Sequence, residues 1–545
     1  MSSEETQVKS PSLTSQGAWL LFAKVIGFGL SFALPLITVR TLSKGEIGTY
    51  QQVFLVIVFL SGILPFGVSM SAFYYLAREK TLKRFYIFNI LLFNFVMGGL
   101  ACAFLNFYPQ VLGNVFKSAE MTQFAPQIGV VIWLWVFSSF FETVAIANQE
   151  ARIATIFIIS AQLTKAIFMI TAVLAFGTVE AMLTAANIQA ILETTALFIY
   201  LNSRFNGFWH SFRKDLFIAQ LRYAIPFGLM GILWTFQADI HNWFIGYRFS
   251  EEEFATYRVG CFELPLLFLL QESISSVMIP RMSQLHSEGN YREMINLTVR
   301  AMEKLSLAYF PTFVFFFITA TTFITTLFTQ KFADSVPIFM INITLLPFAA
   351  FILDPVTRAF SSLGKYILKV RIVLVILLLA TLYYGVQHFD LRQMAMIVVA
   401  TALIDRCAST IKIWKTVGVK WEDLFLLKNV WKTGLVTILA GIPTFFFYQQ
   451  IKQFTPNFSQ QIGGFLHQIA VSFFKIQKDS LVEMANGFLI LGLTGIVFAT
   501  LYLLGIYFFG IIRDEEKEFI RSKLSVIGKI FGWSSAPKKE TEILL

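Results

Sequence analysis

The sequence predicts an all-α polytopic membrane protein, made of two parallel-repeat six-helix bundles and two further C-terminal helices. Three observations predict it: a composition too apolar for water, fourteen stretches long enough to cross a bilayer, and one polar loop written twice. Of 545 residues, 56% are hydrophobic and 14% charged, and the mean hydropathy is +0.67. A water-soluble chain of this length needs far more polar surface. The 61 phenylalanines suit helices that face lipid. Cys102, Cys261 and Cys407 are odd in number and lie in apolar stretches, so no disulfide framework is expected. The N-terminal MSSEETQVKSPSLTSQ has no basic n-region, so no cleavable signal peptide is expected.

A bilayer-crossing helix needs about 20 mostly apolar residues. On that ruler the spans of the first half fall at 17–39, 48–75, 86–107, 125–147, 153–176 and 181–202. Those of the second fall at 223–247, 255–279, 305–328, 335–360, 367–388 and 393–414, followed by 430–451 and 484–512. The N-terminus and the loops on its side of the membrane carry 22 Lys and Arg, against 10 in the opposite loops, with seven more after 512. The positive-inside rule therefore places both termini in the cytoplasm.

The repeat lies in two outer loops. RTLSKGEIGTY (40–50) joins the first two spans, and RFSEEEFATY (248–257) joins the seventh and eighth. Aligning Ser43 with Ser250 also aligns Glu46 with Glu253, Thr49 with Thr256 and Tyr50 with Tyr257, at an offset of 207 residues. Six spans, an even number, separate the copies, so both loops emerge on one side. That is a parallel duplication about an axis along the membrane normal. The expected organisation is a first lobe over 1–202, an interfacial linker over 203–222 and a second lobe over 223–415. Two added helices occupy 416–512, with an amphipathic outer segment around Ile462–Ile476, and an amphipathic cytoplasmic tail follows over 513–545.

A charge at the centre of a membrane helix costs roughly 2.5–3.5 kcal/mol, so such residues face cavities or partners. In the seventh span Gly228, Thr235, Asp239, Asn242 and Gly246 share one face, bordered by His241. A small, polar face of this kind suits a cavity; it equally suits helix–helix packing through interhelical hydrogen bonds. In the twelfth span Thr401, Asp405, Ser409 and Lys412 share a face, while Arg406 points roughly 100° away from Asp405. Asp354 and Arg358 are four apart and are expected to form a structural ion pair. Lys24 shares a face with Gly27, Ser31, Pro35 and Thr38. The substrate-path candidates are thus Lys24, Thr235, Asp239, His241 and Asn242, and the ion-coupling candidates Asp239 and Asp405. Glu142, Lys165, Glu193, Glu263 and Glu272 complete the intramembrane set, and Glu263 and Glu272 fall on opposite faces of the eighth span. No Cys/His metal spacing and no Asp-x-Asp occur. Pro35, Pro65, Pro226, Pro265, Pro347 and Pro355 interrupt spans, as where helices bend around a cavity.

Three stretches carry a family likeness: RTLSKGEIGTYQQV with its second copy, VMIPRMSQLHSEGNYREMINLTVRAMEKLSLAYFP (277–311), and FTQKFADSVPIF with Thr329 where a glycine is common. They resemble the MOP superfamily of exporters, specifically the Wzx-type polysaccharide flippases and their MurJ-type relatives. The resemblance implies two six-helix lobes forming a V that opens alternately inward and outward. It implies a cargo of polyprenyl-pyrophosphate-linked oligosaccharide moved from the cytoplasmic to the outer leaflet of the cell (inner) membrane. Lys24 is then the basic candidate for the pyrophosphate, and the last two helices help form a groove for the lipid tail. The first span is less arginine-rich than in lipid II flippases, which argues against lipid II itself. No cofactor is expected beyond coupling to an H⁺ or Na⁺ gradient or the membrane potential. The expected partners are membrane lipid, a polysaccharide polymerase and a chain-length regulator, with no nucleic acid. The alternative is a MATE-type cation-coupled exporter of small organic molecules, in which Asp239 or Asp405 would serve. A membrane-embedded glycosyltransferase would need a sizeable outer domain, which the short outer loops do not supply.

Overall fold

The computed structural model describes residues 34–78, 81–210, 212–454 and 478–511. Among these residues all regular structure is helical. The first half holds α1 (residues 34–41), α2 (Lys44–Ile63), α3 (Ser71–Arg78), α4 (Lys83–Phe107), α5 (Gln110–Phe116), α6 (Ala119–Ser138), α7 (Phe140–Ala147), α8 (Ala151–Phe176) and α9 (Val179–Arg204). The second holds α10 (Lys214–Arg248), α11 (Glu251–Gly260), α12 (Pro265–Ser287), α13 (Tyr291–Phe328), α14 (Val336–Ile343), α15 (Leu346–Ala349), α16 (Asp354–Ala359), α17 (Ser361–His388) and α18 (Leu391–Val417). The added pair is α19 (Lys428–Phe454) and α20 (Lys478–Phe508). Twelve helical stretches among the described residues are long and apolar enough to cross a membrane, and the chain is a multi-pass membrane protein. Most of the expected first span, with Lys24, lies outside the described residues, as do the segment around 462–476 and the tail after 512.

The duplicated loop is a duplicated helix start. Ser43 caps α2 by accepting from the Glu46 backbone N–H, and the Glu46 carboxylate accepts from the Ser43 N–H. Ser250 and Glu253 make the same reciprocal box at α11. Each box satisfies two helix-end donors that would otherwise lack partners, and a cap of this type contributes about 1 kcal/mol.

Four expected spans are not single helices, the span at 125–147 being α6 and α7 with a one-residue break at Ser139. The span at 48–75 breaks after Ile63: Pro65 ends the ladder, and Phe66 and Gly67 take φ of 48° and 70° before α3 begins. The span at 255–279 breaks between Gly260 and Pro265 for a related reason, since Pro265 can open a helix but not continue one. The span at 335–360 is α14, α15 and α16 in succession, with prolines in the first turn of all three. Hydropathy reports apolar content, which survives a kink unchanged.

Below the capped end, the core divides. One apolar cluster joins both halves at the end that carries Ser43 and Ser250, with Leu42, Ile47 and Phe116 packed among Phe254, Tyr257, Phe332 and Ile338. At the opposite end the core is two clusters. One unites Val68, Tyr86, Phe141 and Leu197 of the first half, and the other Met282, Leu305, Leu363 and Ile413 of the second. A fourth cluster ties α19 to α20 through Val436, Phe498 and Tyr502.

The helix α10 is the exception to this division. It starts at Lys214, so most of the expected linker's basic, aromatic second half is already helix. Its first turns pack on the first half: Gln220 donates to the Ser71 hydroxyl (3.1 Å) and the Tyr86 carbonyl (3.2 Å), and accepts from Asn89 (3.1 Å). Gln220, Asn89 and Ser71 are all fully buried, so this network gives α10 one register against α3 and α4.

Candidate substrate path between the two halves

The stripe on α10 turns towards α2. A Cβ added at Gly228 would lie 2.1 Å from the Phe66 carbonyl oxygen, so the two backbones touch at the kink after α2. Thr235 sits beside Gly62, and Gly246 lies under the Phe116 ring. The two glycine ends of the stripe are therefore packing surface. Between them, half-buried Asp239 accepts from the Asn242 amide at 3.3 Å, and the Arg258 guanidinium lies within electrostatic range of Asp239. His241 is drawn away from this pair: it is buried, and Nδ1 meets the Tyr257 hydroxyl at 2.9 Å. That contact joins α10 to α11, and the histidine does not share a contact with Asp239.

The second carboxylate has its own cation. Asp405 on α18 lies 3.6 Å from Arg371 on α17, and the Arg371 guanidinium sits 5.6 Å from the ring of Trp234 on α10. Asp405 Oδ1 and Arg371 Nε have no hydrogen-bond partner among the described residues, so the pair retains unused donors and acceptors. Arg406 turns the other way and donates to the Phe348 carbonyl at 3.1 Å. Asp354 and Arg358 form an ion pair of 2.8 Å at the end away from the caps. The structure thus separates Asp239 with Arg258 from Asp405 with Arg371; the two carboxylates do not share a site. Sequence reasoning missed both arginines. Neither is among the candidates named from sequence, although Arg258 falls in the expected span 255–279 and Arg371 in 367–388, and each lies within a helix. Ser361 and Ser362, two residues before the KYILKVRIVL run, are the sign in the sequence that α17 starts ten residues ahead of Arg371.

At the capped end the halves exchange cations. Arg40 Nη2 donates to the Thr326 carbonyl (2.7 Å) and Nη1 to the Leu327 carbonyl (3.1 Å), in the last turn of α13. Lys331, just after α13, donates to the Leu42 carbonyl just after α1 (2.7 Å). Lys44 adds an ion pair of 3.7 Å with Asp334. Each half thereby satisfies helix-end carbonyls of the other, which are acceptors without intrahelical partners and carry the negative end of the helix dipole. Alongside, a Cβ at Gly48 would fall 1.9 Å from the Glu251 carbonyl oxygen, so α2 and α11 meet in direct backbone contact.

Two repeated helix starts thus meet at one end of the molecule, and separate cores lie at the other. The sequence family described as "Polysaccharide biosynthesis protein" matches residues 37–337, more than half of the chain. The protein belongs to the polysaccharide biosynthesis protein family. Among solved structures, this family member is similar to the lipid II flippase MurJ in an inward closed conformation, at 14% identity and a TM-score of 0.60, covering 89% of this chain and 98% of that one. It is also similar to a multidrug resistance MATE family transporter of the MOP superfamily. In the inward-facing form the TM-score is 0.58 at 14% identity, over 71% of this chain and 94% of that one. In the outward-facing form it is 0.52 at 14% identity, over 77% and 99%. The polysaccharide biosynthesis protein therefore has the MOP fold. No curated protein matches its sequence.

Proposed function

We propose that this protein flips a polyprenyl-pyrophosphate-linked oligosaccharide from the cytoplasmic to the outer leaflet of the cell membrane, by alternating access between its two halves. The observation that carries the reading is the divided core: one shared cluster at the capped end and two separate clusters opposite it, with membership of a polysaccharide biosynthesis family behind it. With the 22-to-10 charge bias setting orientation, the capped end is outside and the end with two separate cores faces the cytoplasm. Both chain termini then lie in the cytoplasm. The sugar head passes between the halves, past Thr235, Asp239, Asn242, Arg258, Arg371 and Asp405, while the tail stays in lipid. No covalent chemistry is assigned to the protein. Re-opening draws on an ion gradient or the membrane potential, with Asp239 and Asp405 as the coupling groups, and the product passes to a polymerase and chain-length regulator. The test is leaflet-resolved measurement of the lipid-linked intermediate in cells lacking the protein. Accumulation in the cytoplasmic leaflet is expected. An unchanged distribution, together with new sensitivity to cationic dyes, would identify a drug exporter instead.

A further inference from the structure

Lys165 lies in the middle of α8, about 21 Å from the helix start at 1.5 Å per residue, where a charge is costly. It is half-buried, and among the described residues it has no hydrogen bond and no ion pair. Its ammonium instead sits 4.6 Å from the Trp135 ring centroid on α6 and 5.6 Å from that of Phe54 on α2. Beside it runs a fixed polar chain: Trp135 Nε1 donates to Gln189 Oε1 (3.0 Å), Gln189 Nε2 donates to Glu193, and Ser138 donates to Glu193 (3.2 Å). Glu193 is close enough to influence the lysine electrostatically, yet makes no direct pair with it. Tyr50 continues the aromatic row, 4.8 Å from Phe54, towards the capped end.

Simple helix glue does not account for this group, because among the described residues the ammonium's three donors stay unused beside a carboxylate held just out of reach. Nor is it an isolated anion site, because Glu193 offsets the charge of Lys165. A donor with no acceptor among the described residues, an acceptor carboxylate and amide, and aromatic faces at one place match a hydroxyl-rich, ring-shaped ligand. We propose that Lys165, Glu193, Gln189, Trp135 and Phe54 form a subsite for a sugar residue of the cargo. Sugar hydroxyls accept from the lysine and donate to the carboxylate, and the apolar face of the sugar ring packs on the aromatic row. This inference rests on the flippase reading and adds a second contact region within the first half, away from α10 and α18.

The test uses the full-length protein in lipid nanodiscs and two probes. One is the lipid-linked oligosaccharide extracted from cells lacking this protein; the other is sugar-free polyprenyl pyrophosphate. Wild-type protein should bind the sugar-bearing lipid more tightly. Lys165→Met and Glu193→Gln should each remove that preference, about a tenfold loss for one charge-assisted hydrogen bond, and leave binding of the sugar-free lipid unchanged. Trp135→Phe, which keeps a ring and removes the indole donor, should lose less. Elution of every variant as the wild-type species controls for misfolding, with Lys165→Gln replacing Lys165→Met if the latter misfolds. A preference that survives in both variants overturns the subsite. Equal weakening of both probes overturns it too and assigns Lys165 to the anionic head. Failure of wild-type protein to bind either probe would instead refute the flippase reading.

Discussion

Arg40 donates a 3.1 Å hydrogen bond to the carbonyl of Leu327, 287 residues away in sequence. Lys331 returns the contact, from the second half to the Leu42 carbonyl of the first. The closed capped end is thus held by a reciprocal exchange in which each cation satisfies the other half's helix terminus. Such contacts have little to slide along: once the carbonyls separate, water takes their place and the strength of each bond falls to that of a surface contact. An interface of this type favours two discrete states, closed or open.

Removing one side of the exchange should shift the balance. Arg40→Ala deletes the two charge-assisted hydrogen bonds that cross between the halves, each worth about 1.5–3 kcal/mol. The population open at the capped end should rise by tenfold or more, read as increased reactivity of a cysteine at Thr329 with an impermeant thiol reagent. Lys331→Ala should act in the same direction, and the double variant should fall short of the sum. Unchanged reactivity in Arg40→Ala would show that the exchange does not hold the end closed.

Gly48 offers an independent test. A methyl at this position would meet the Glu251 carbonyl at 1.9 Å, whereas one at Gly45 would meet only the Glu252 side chain, at an ordinary 3.8 Å. Gly48→Ala should therefore force the capped end apart and lower transport several-fold, with Gly45→Ala close to wild type. Spin-label distances between the halves read the separation directly.

The proximity of Gly45 and Glu252 makes a reversible lock. These positions are themselves repeat equivalents, 207 residues apart. In a cysteine-free background, Gly45→Cys with Glu252→Cys should cross-link on oxidation, stop transport, and recover on reduction. Each single variant should also react with an outside reagent in intact cells. Labelling of one position but not the other would contradict the parallel duplication.

Asp405 and Arg371 should behave as a unit. Asp405→Asn leaves an arginine inside the membrane without its counter-charge, a change that costs several kcal/mol when one partner of a buried pair is removed. Abundance should fall, and Arg371→Gln in the same chain should restore it. If the double variant is abundant yet does not transport, the pair serves coupling as well as structure. Wild-type transport in the double variant would exclude that role.

The fold class was legible because lipid imposes a coarse rule: length and apolarity suffice to mark a helix that must satisfy its own backbone. The repeat was legible for a different reason. A capping box is local chemistry, written by Ser43 and Glu46 and again by Ser250 and Glu253, so three residues of spacing carry it. The Asp354–Arg358 pair, four apart on one helix, was readable on the same terms. What lay beyond the sequence depends on contacts between distant segments. The stripe on α10 read equally as cavity wall or packing face until Gly228 was seen against Phe66. His241 borders that stripe in sequence, and only the fold shows its ring turned to Tyr257. Arg371 had no assigned role until α17 and α10 placed it between Asp405 and Trp234. Only tertiary structure could decide these cases, because a polar side chain in a membrane takes its role from the partner it meets, and that partner lies on another helix.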